Sequence, residues 1–247
     1  MCAAPTNDRD ARHLSLPGFG SDGVARLRSA RALVIGVGGT GCAAASALTA
    51  AGVGHLTLND FDRVDASNLA RQTLYAECDV GQPKASTAKR RLNQQNPDCS
   101  IDVLEQRLDA DACLKQVATH DIVLDCTDNF STRFLINRAV VAAGKPLISG
   151  AAIRWEGQVA VFGPDYRQSS CFACLFSPDD ESLEDCQGAG VIGPLPMTIG
   201  ATMATEAIKV LTGIGEAPSM TLYDARFSEW RAVSVPKNTT CDVCNTR

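Results

Sequence analysis

No stretch of this chain approaches the roughly 18 consecutive apolar residues that a membrane-spanning helix needs. An excess of positive charge is missing too, since 23 lysines and arginines stand against 28 aspartates and glutamates, a net charge of −5. That balance argues against nucleic acid or an anionic membrane surface as the main partner. Internal repeats, low-complexity tracts and linker-like stretches are absent, which favours one domain over two. Residues 1–12 are polar and mixed in charge, so they do not read as a secretory signal, and a cytoplasmic protein is expected. Without that signal a disulfide framework is not expected either. The chain nevertheless carries eleven cysteines. They point to metal binding, thiol chemistry or both. What remains is ordinary for a soluble globular chain, with 45% apolar and 21% charged residues over 247 positions, enough to bury a substantial core.

Residues 31–37 (RALVIGV) form an apolar run ending in glycines, as a buried parallel strand does. A small, apolar helix over 40–51 should follow, stopped by Gly52 and Gly54, and 55–59 (HLTLN) reads as a second strand ending at Asp60. Pro83 opens a helix that runs to about Gln95. Further strands are expected at 101–104, 121–126 and 146–149, and further helices at 111–119 and 130–143. Strands alternating with helices at this spacing predict a doubly wound, Rossmann-like α/β sheet, mostly parallel. Texture changes at Gly150. Residues 157–162 alternate, and 221–223 with 230–235 add antiparallel strands near one edge. The polar, acidic stretch 177–190 reads as a long mobile loop, and 198–211 as a helix stopped by Gly213.

Gly36-Val37-Gly38-Gly39-Thr40-Gly41 follows a strand and opens a helix. Close backbone approach, amide donors and the positive helix end together hold phosphate there. Asp60, at the tip of the next strand, is placed to accept hydrogen bonds from a ribose. An NAD site would look the same up to this point. The next segment separates the two, because Asp62, Ser67, Asn68, Arg71, Gln72 and Lys84 add two cations and two amides, which suit a triphosphate. Asp128 follows the strand at 121–126, with Asn129 beside it. A carboxylate at a strand's carboxyl end near polyphosphate is a natural Mg²⁺ ligand. It could equally cap the helix at Phe130.

Cys171, Cys174, Cys241 and Cys244 form two C-x₂-C pairs, the donor set of a tetrahedral Zn²⁺ site. Four sulfur ligands leave no open position, so the site should be structural, tying the chain end back onto the body. A thioredoxin-like redox pair is the competing reading of a single C-x₂-C. Cys186 lies in the polar loop before Gly188-Ala189-Gly190, where an exposed thiol suits covalent transfer chemistry. Cys42 and Cys126 read as small core residues.

Together the phrases VIGVGGTG, LTLNDFD, SNLARQTL, VGQPKA, VLDCTDN, ISGAAIRWEGQ, CFACL, AIKVLTG and CDVC resemble the MoeB/ThiF/HesA family, bacterial relatives of the ubiquitin-activating enzymes. They run in family order from Val34 to Cys244. The resemblance implies ATP-dependent adenylation of the C-terminal glycine carboxylate of a small ubiquitin-like sulfur-carrier protein ending in Gly-Gly. It implies ATP and Mg²⁺ at Gly38, Gly39, Gly41, Asp60, Asn68, Arg71, Lys84, Asp128 and Asn129, and zinc on the four paired cysteines. Cys186 matches a cysteine that in some members bonds covalently to the carrier. Arg12 matches an arginine that crosses a homodimer to the partner's phosphates, although the family's R-Y-x-R-Q reads Arg9-Asp10-Ala11-Arg12-His13 here. A sulfurtransferase or cysteine desulfurase is implied as sulfur donor. On this reading residues 1–30 are an N-terminal arm and helix, 31–150 the nucleotide-binding half, and 151–247 the carrier-binding and zinc half.

The stretch from Asp60 to Lys84 is more similar to molybdopterin-type members, and Asn7-Asp8-Arg9-Asp10 and Ser228-Glu229-Trp230-Arg231 to thiamine-type ones. An NAD-dependent oxidoreductase on the same fold would explain the glycines and Asp60, but not Lys84, Asp128 or four metal-spaced cysteines. A non-catalytic module that only docks a carrier is the other alternative, against which Arg71, Lys84 and Asp128 argue. Pro196, just before the helix expected at 198–211, has no account from sequence.

Overall fold

A computed structural model describes residues 8–177, 190–215 and 219–245. The N-terminal segment carries two helices, α1 (Ala11–Leu14) and α2 (Gly20–Ser29). Strand β1 (Arg31–Ile35) leads into α3 (Gly39–Ala51), β2 (His55–Asn59), α4 (Lys84–Gln95) and β3 (Ser100–Leu104). Then come α5 (Ala110–Ala118), β4 (Ile122–Asp125), α6 (Phe130–Ala143), β5 (Leu147–Ile153) and β6 (Glu156–Phe162). A short α7 (Phe172–Leu175), the long α8 (Pro194–Thr212) and the hairpin β7 (Met220–Asp224) and β8 (Glu229–Val233) complete the order. Among the described residues no helix is long and apolar enough to cross a membrane.

All eight strands lie in one sheet, in the order β3-β2-β1-β4-β5-β6-β7-β8. The first five are parallel and the last three antiparallel. The α/β sheet expected from the alternating pattern is the one observed, with antiparallel strands at one edge.

Alternation along β1 shows how the two layers form, because successive side chains on a strand point to opposite faces. Ala32 and Val34 enter one buried cluster with Leu48 of α3, Leu92 of α4 and Ile199 and Met203 of α8. Leu33 and Ile35 enter the other, with Val117 of α5, Phe134 and Val140 of α6 and Phe172 of α7. Helix α3 is built of small residues because α8 crosses it closely. A side chain at Gly200 would run into the Thr40 carbonyl and Ala43.

Element ends differ from the sequence expectation in physically interpretable ways. Strand β1 stops at Ile35 and not at Val37, because Gly36 takes a left-handed φ of 87° that turns the chain. Strand β5 runs through Gly150 to Ile153, so the change of texture at Gly150 is not a break in the sheet. Helix α8 begins at Pro194, four residues before the expected start. Pro194 and Pro196 both sit in its first turn, where a backbone N–H has no helical partner to lose. Pro196 thereby gains an account: it is buried and packs directly over Gly39.

Candidate nucleotide cleft and four-cysteine centre

Strand order reverses between β1 and β4, since the chain moves outward through β2 and β3 and then returns to the other side. Ligands of open α/β sheets bind beyond the carboxyl ends of strands at such a point. A cleft of about 630 Å³ lies there. Its walls come from Gly36, Gly38, Gly39 and Thr40 after β1, Asp60, Phe61 and Asp62 after β2, and Thr127, Asp128 and Asn129 after β4. Asn68, Arg71, Gln72, Lys84, Arg107 and Arg133 add to the polar lining.

The glycine turn is shaped by contacts that exclude a side chain. A Cβ on Gly36 would press on the Cys126 carbonyl, and one on Gly41 would overlap the Gly36 carbonyl. Gly41, expected to bind nucleotide, therefore packs beneath the turn and does not line the cleft. Helix α3 begins at Gly39 with Gly38 as a cap that offers no side-chain acceptor. Its first amides face the cleft as donors, next to the positive end of the helix dipole.

Asp60 is buried, and its carboxylate accepts the Val37 N–H at 2.7 Å and the Asp62 N–H at 2.9 Å. Burial raises its pKa, with Lys84 opposing. Its contacts within the chain thus hold the glycine turn against β2. Tyr75 supports the same turn from below, donating to the Val37 carbonyl at 2.8 Å. Lys84 is also buried, and its ammonium lies 3.0 Å from the Asp62 carboxylate. Arg71 donates to the Ser67 carbonyl at 3.1 Å. Ser67 itself is turned away: its hydroxyl donates to Asp65 at 2.6 Å, and it is not on the cleft wall. The Gln72 side-chain carbonyl is buried without a hydrogen-bond partner at the cleft wall.

Asn129, not Asp128, caps α6, accepting the Thr132 N–H at 3.0 Å. The Asp128 carboxylate is left exposed on the cleft wall. The choice between cap and free carboxylate, open in the sequence, falls to the free carboxylate. Arg133, which sequence reasoning missed, is buried under this turn. Its guanidinium donates to the Thr127 carbonyl, and to the Gly150 carbonyl at 3.1 Å. Asp125 lies beside it, accepting from Thr127 and from Ser149 at 3.1 Å. Arg107 stacks over the exposed Phe61 ring, 4.5 Å from its centroid. Ser149 and Gly150 reach this turn from β5, 24 and 17 residues from Asp125 and Arg133, which is why no motif announced these contacts.

Arg12 is exposed on α1 and is not part of the cleft wall. Cys186 lies outside the described residues. Cys42 and Cys126 are buried, as expected of core thiols, and burial pushes the Cys42 thiol up to about 12.

The four paired cysteines meet at the far side of α6. All their Sγ atoms lie within 4.8 Å of one another. Neighbouring sulfurs are 3.7 Å apart for Cys171 and Cys241, 3.9 Å for Cys171 and Cys174, and 3.5 Å for Cys174 and Cys244. Zn–S bonds of about 2.3 Å in a tetrahedron give edges of roughly 3.8 Å. The donor set and its spacing fit zinc. Lys237 places its ammonium 3.2 Å from the Cys244 sulfur, offsetting part of the thiolate charge.

A model of the ThiF family matches residues 11–243. The chain is 46% identical over 236 residues to a molybdopterin-synthase adenylyltransferase from Salmonella typhimurium, covering 94% of each protein. It is 42% identical over 244 residues to a sulfur carrier protein ThiS adenylyltransferase from Escherichia coli, covering 96% of each. Among solved structures, E. coli MccB with succinimide superposes with a TM-score of 0.85 at 22% identity, over 98% of this chain and 75% of that one. That last likeness concerns the fold.

Proposed function

The chain belongs to the ThiF family, and from that premise we propose that it adenylates the C-terminal glycine carboxylate of a small ubiquitin-like sulfur-carrier protein. The observation that carries this reading is the cleft at the β1/β4 reversal. It combines unpaired amides at the start of α3, the cations Arg71 and Lys84, and an Asp128 freed from capping by Asn129. A dinucleotide site needs the first of these and not the rest.

The carrier's carboxylate attacks the α-phosphate of ATP, pyrophosphate leaves, and an acyl-adenylate remains. The nucleophile is already ionised, so no general base is required. What the protein supplies is position and countercharge. Gly38 and Gly39 present backbone to the phosphates, Arg71 grips phosphate oxygens with its fork, and Lys84 adds a compact charge once it leaves Asp62. Asn68 and Gln72 donate amide hydrogens to the same phosphates, while the unpartnered Gln72 carbonyl can serve only a donor, such as a hydroxyl or amino group of the nucleotide. Asp60 keeps the glycine turn in place and faces the ribose. Asp128, with Asn129 beside it, would hold Mg²⁺, which neutralises phosphate charge. Gly150, Ala151 and Ala152 of β5 and Gly190 also line the cleft. A tail ending in Gly-Gly suits a wall of such small residues.

The four cysteines would hold zinc as a closed, structural site. Arg12 would reach the phosphates of a second copy in a homodimer, as its exposure outside its own cleft allows. Cys186 would accept the activated carrier, with the sulfur itself coming from a sulfurtransferase or cysteine desulfurase.

ATP–pyrophosphate exchange with a panel of purified carriers ending in Gly-Gly tests this reading and distinguishes a molybdopterin-type from a thiamine-type partner. Exchange that depends on one carrier is expected. Purified protein that holds a nicotinamide cofactor and shows no exchange with any carrier would refute it.

A further inference from the structure

Helix α6 is pinned at three places along one side. Asn129 caps its first turn, and Arg133, one turn on, clamps the carbonyls of Thr127 and Gly150. Asn137 comes one turn later still. It is fully buried, and both ends of its amide are used at the four-cysteine centre. Its nitrogen donates to the Cys171 sulfur at 3.6 Å, and its oxygen accepts the Phe172 N–H at 2.9 Å. Residues four apart lie on one helix face, so the clamp at the cleft and the clamp at the cysteines share a side of α6.

The amide is the suitable group for this position. It has a donor for sulfur and an acceptor for a backbone N–H. A leucine of similar size would leave the Phe172 N–H buried without an acceptor. Phenylalanine rings fill the space around it. Phe134 meets Phe172 edge-on at 5.3 Å, and Phe130 meets Phe176 at 5.7 Å. A rotation or slide of α7 is therefore passed to α6 through packed rings and a buried amide, and from α6 to the turn that bears Asp128.

We propose that Asn137 is a positioning residue that links occupancy of the four-cysteine site, through α6, to the Asp128 turn of the nucleotide cleft. The link rests on the zinc and ATP readings given above. Such coupling is reciprocal: if metal sets the turn, a ligand on the turn must tighten the metal by the same factor.

Zinc release from the intact, zinc-loaded protein into excess chromogenic chelator, with and without Mg-ATP, reads the part of that tightening that falls on the dissociation rate. Parallel equilibrium dialysis of ATP shows whether nucleotide is bound. In the wild type, Mg-ATP should slow release about tenfold, within the usual range of coupling. Asn137→Leu and Asn137→Asp should each release zinc about tenfold faster than wild type, as loss of a partner to a metal ligand does. In both, the protection by Mg-ATP should vanish. Asn137→Asp keeps the acceptor for Phe172 and serves if the leucine variant fails to fold. A merely structural asparagine would change the release rate and leave the ATP factor as it was, which would overturn the proposal. So would wild-type release that is unaffected by ATP while dialysis shows ATP bound. Absence of ATP binding would instead remove the nucleotide reading, and this link with it.

Discussion

At one end of the sheet β3, β2, β1 and β4 run parallel beneath helices, and β1, β2 and β4 end in the turns that line the cleft. At the other end β6, β7 and β8 run antiparallel, and β8 is exposed at every residue from Glu229 to Val233, with Trp230 stacked on Tyr223 at 4.3 Å. The parallel end secures its turns through close backbone packing and two buried side chains: Gly36 and Gly41 fit only as glycines, and Asp60 and Tyr75 hold the Val37 peptide. The antiparallel end has no such closure. Its tail is gathered by four sulfurs drawn from positions about 70 residues apart in the chain. A turn braced in this way keeps its shape when a side chain that braces nothing, such as the exposed Asp128, is removed. A tail tied by ligands does not survive the loss of one ligand. Damage to the first region should fall on chemistry, and damage to the second on folding.

The sharpest way to break that contrast is Asp128→Ala. Pyrophosphate exchange should fall by about a thousandfold, on the order of 4 kcal/mol of transition-state stabilisation. Thermal stability should stay within about 0.5 kcal/mol of wild type, because the exposed carboxylate caps nothing. A mutant with near-normal exchange would show that the carboxylate holds no metal. Asn129→Ala provides the complement, losing about 1 kcal/mol of stability with the cap.

Cys241→Ser should act in the opposite sense. Metal analysis should show zinc lost from the variant, and unfolding should shift by about 2–3 kcal/mol, since metal binding here is folding free energy. Limited proteolysis should then cut first in the C-terminal tail. Full zinc content in Cys241→Ser would contradict the assignment.

A smaller effect is expected of pH at the amino ends of the parallel strands, away from the cleft. His120 is buried there, its Nδ1 donating to the Gln116 carbonyl at 2.6 Å and its Nε2 accepting from Thr57 at 2.8 Å. Burial lowers its pKa below the ordinary 6.5. Between the folded and unfolded pKa values the unfolded chain therefore binds more protons. Stability should be complete above about pH 6.5 and decline as pH falls below it, levelling off once the folded ring protonates. Denaturant titrations of wild type and His120→Gln over pH 5–8 check this, with the variant expected to lose that part of the slope.

The smallest effect is the one expected of Cys186→Ala on exchange, which is none. Adenylation uses a carboxylate, phosphates and cations, so a thiol enters only in the transfer that follows. The variant should retain exchange and lose any covalent adduct with the carrier by mass spectrometry. An adduct that persists, or exchange that collapses, would place the cysteine elsewhere in the mechanism.

Local signals made the parallel end readable from sequence. An apolar run, a glycine cluster and a helix of small residues announce β1, the turn and α3 because each depends on its neighbours in the chain. The paired cysteines were readable for a different reason, since donor type and spacing are themselves the chemistry. Whether Asp128 caps the helix or stands free was open, because Asn129 beside it can cap as well and only the backbone angles of the folded turn decide. Pro196 had no account from sequence, yet it and Pro194 both fit the first turn of α8. Arg133 and Asn137 look like any polar residues of a helix. Their partners, Gly150 and Cys171, lie 17 and 34 residues away and are brought to them by the sheet. Burial of a polar side chain is a tertiary fact, and it is where sequence reasoning stopped.

In the proposed reaction the cleft joins a carrier's terminal carboxylate to AMP. Intact-mass spectrometry of a carrier ending in Gly-Gly, after brief incubation with the protein and Mg-ATP, observes that bond directly. The carrier should gain the mass of one adenylyl group, and a carrier lacking its final glycine should gain nothing. An unmodified carrier under conditions where ATP is bound, or equal modification of the truncated one, would contradict the account.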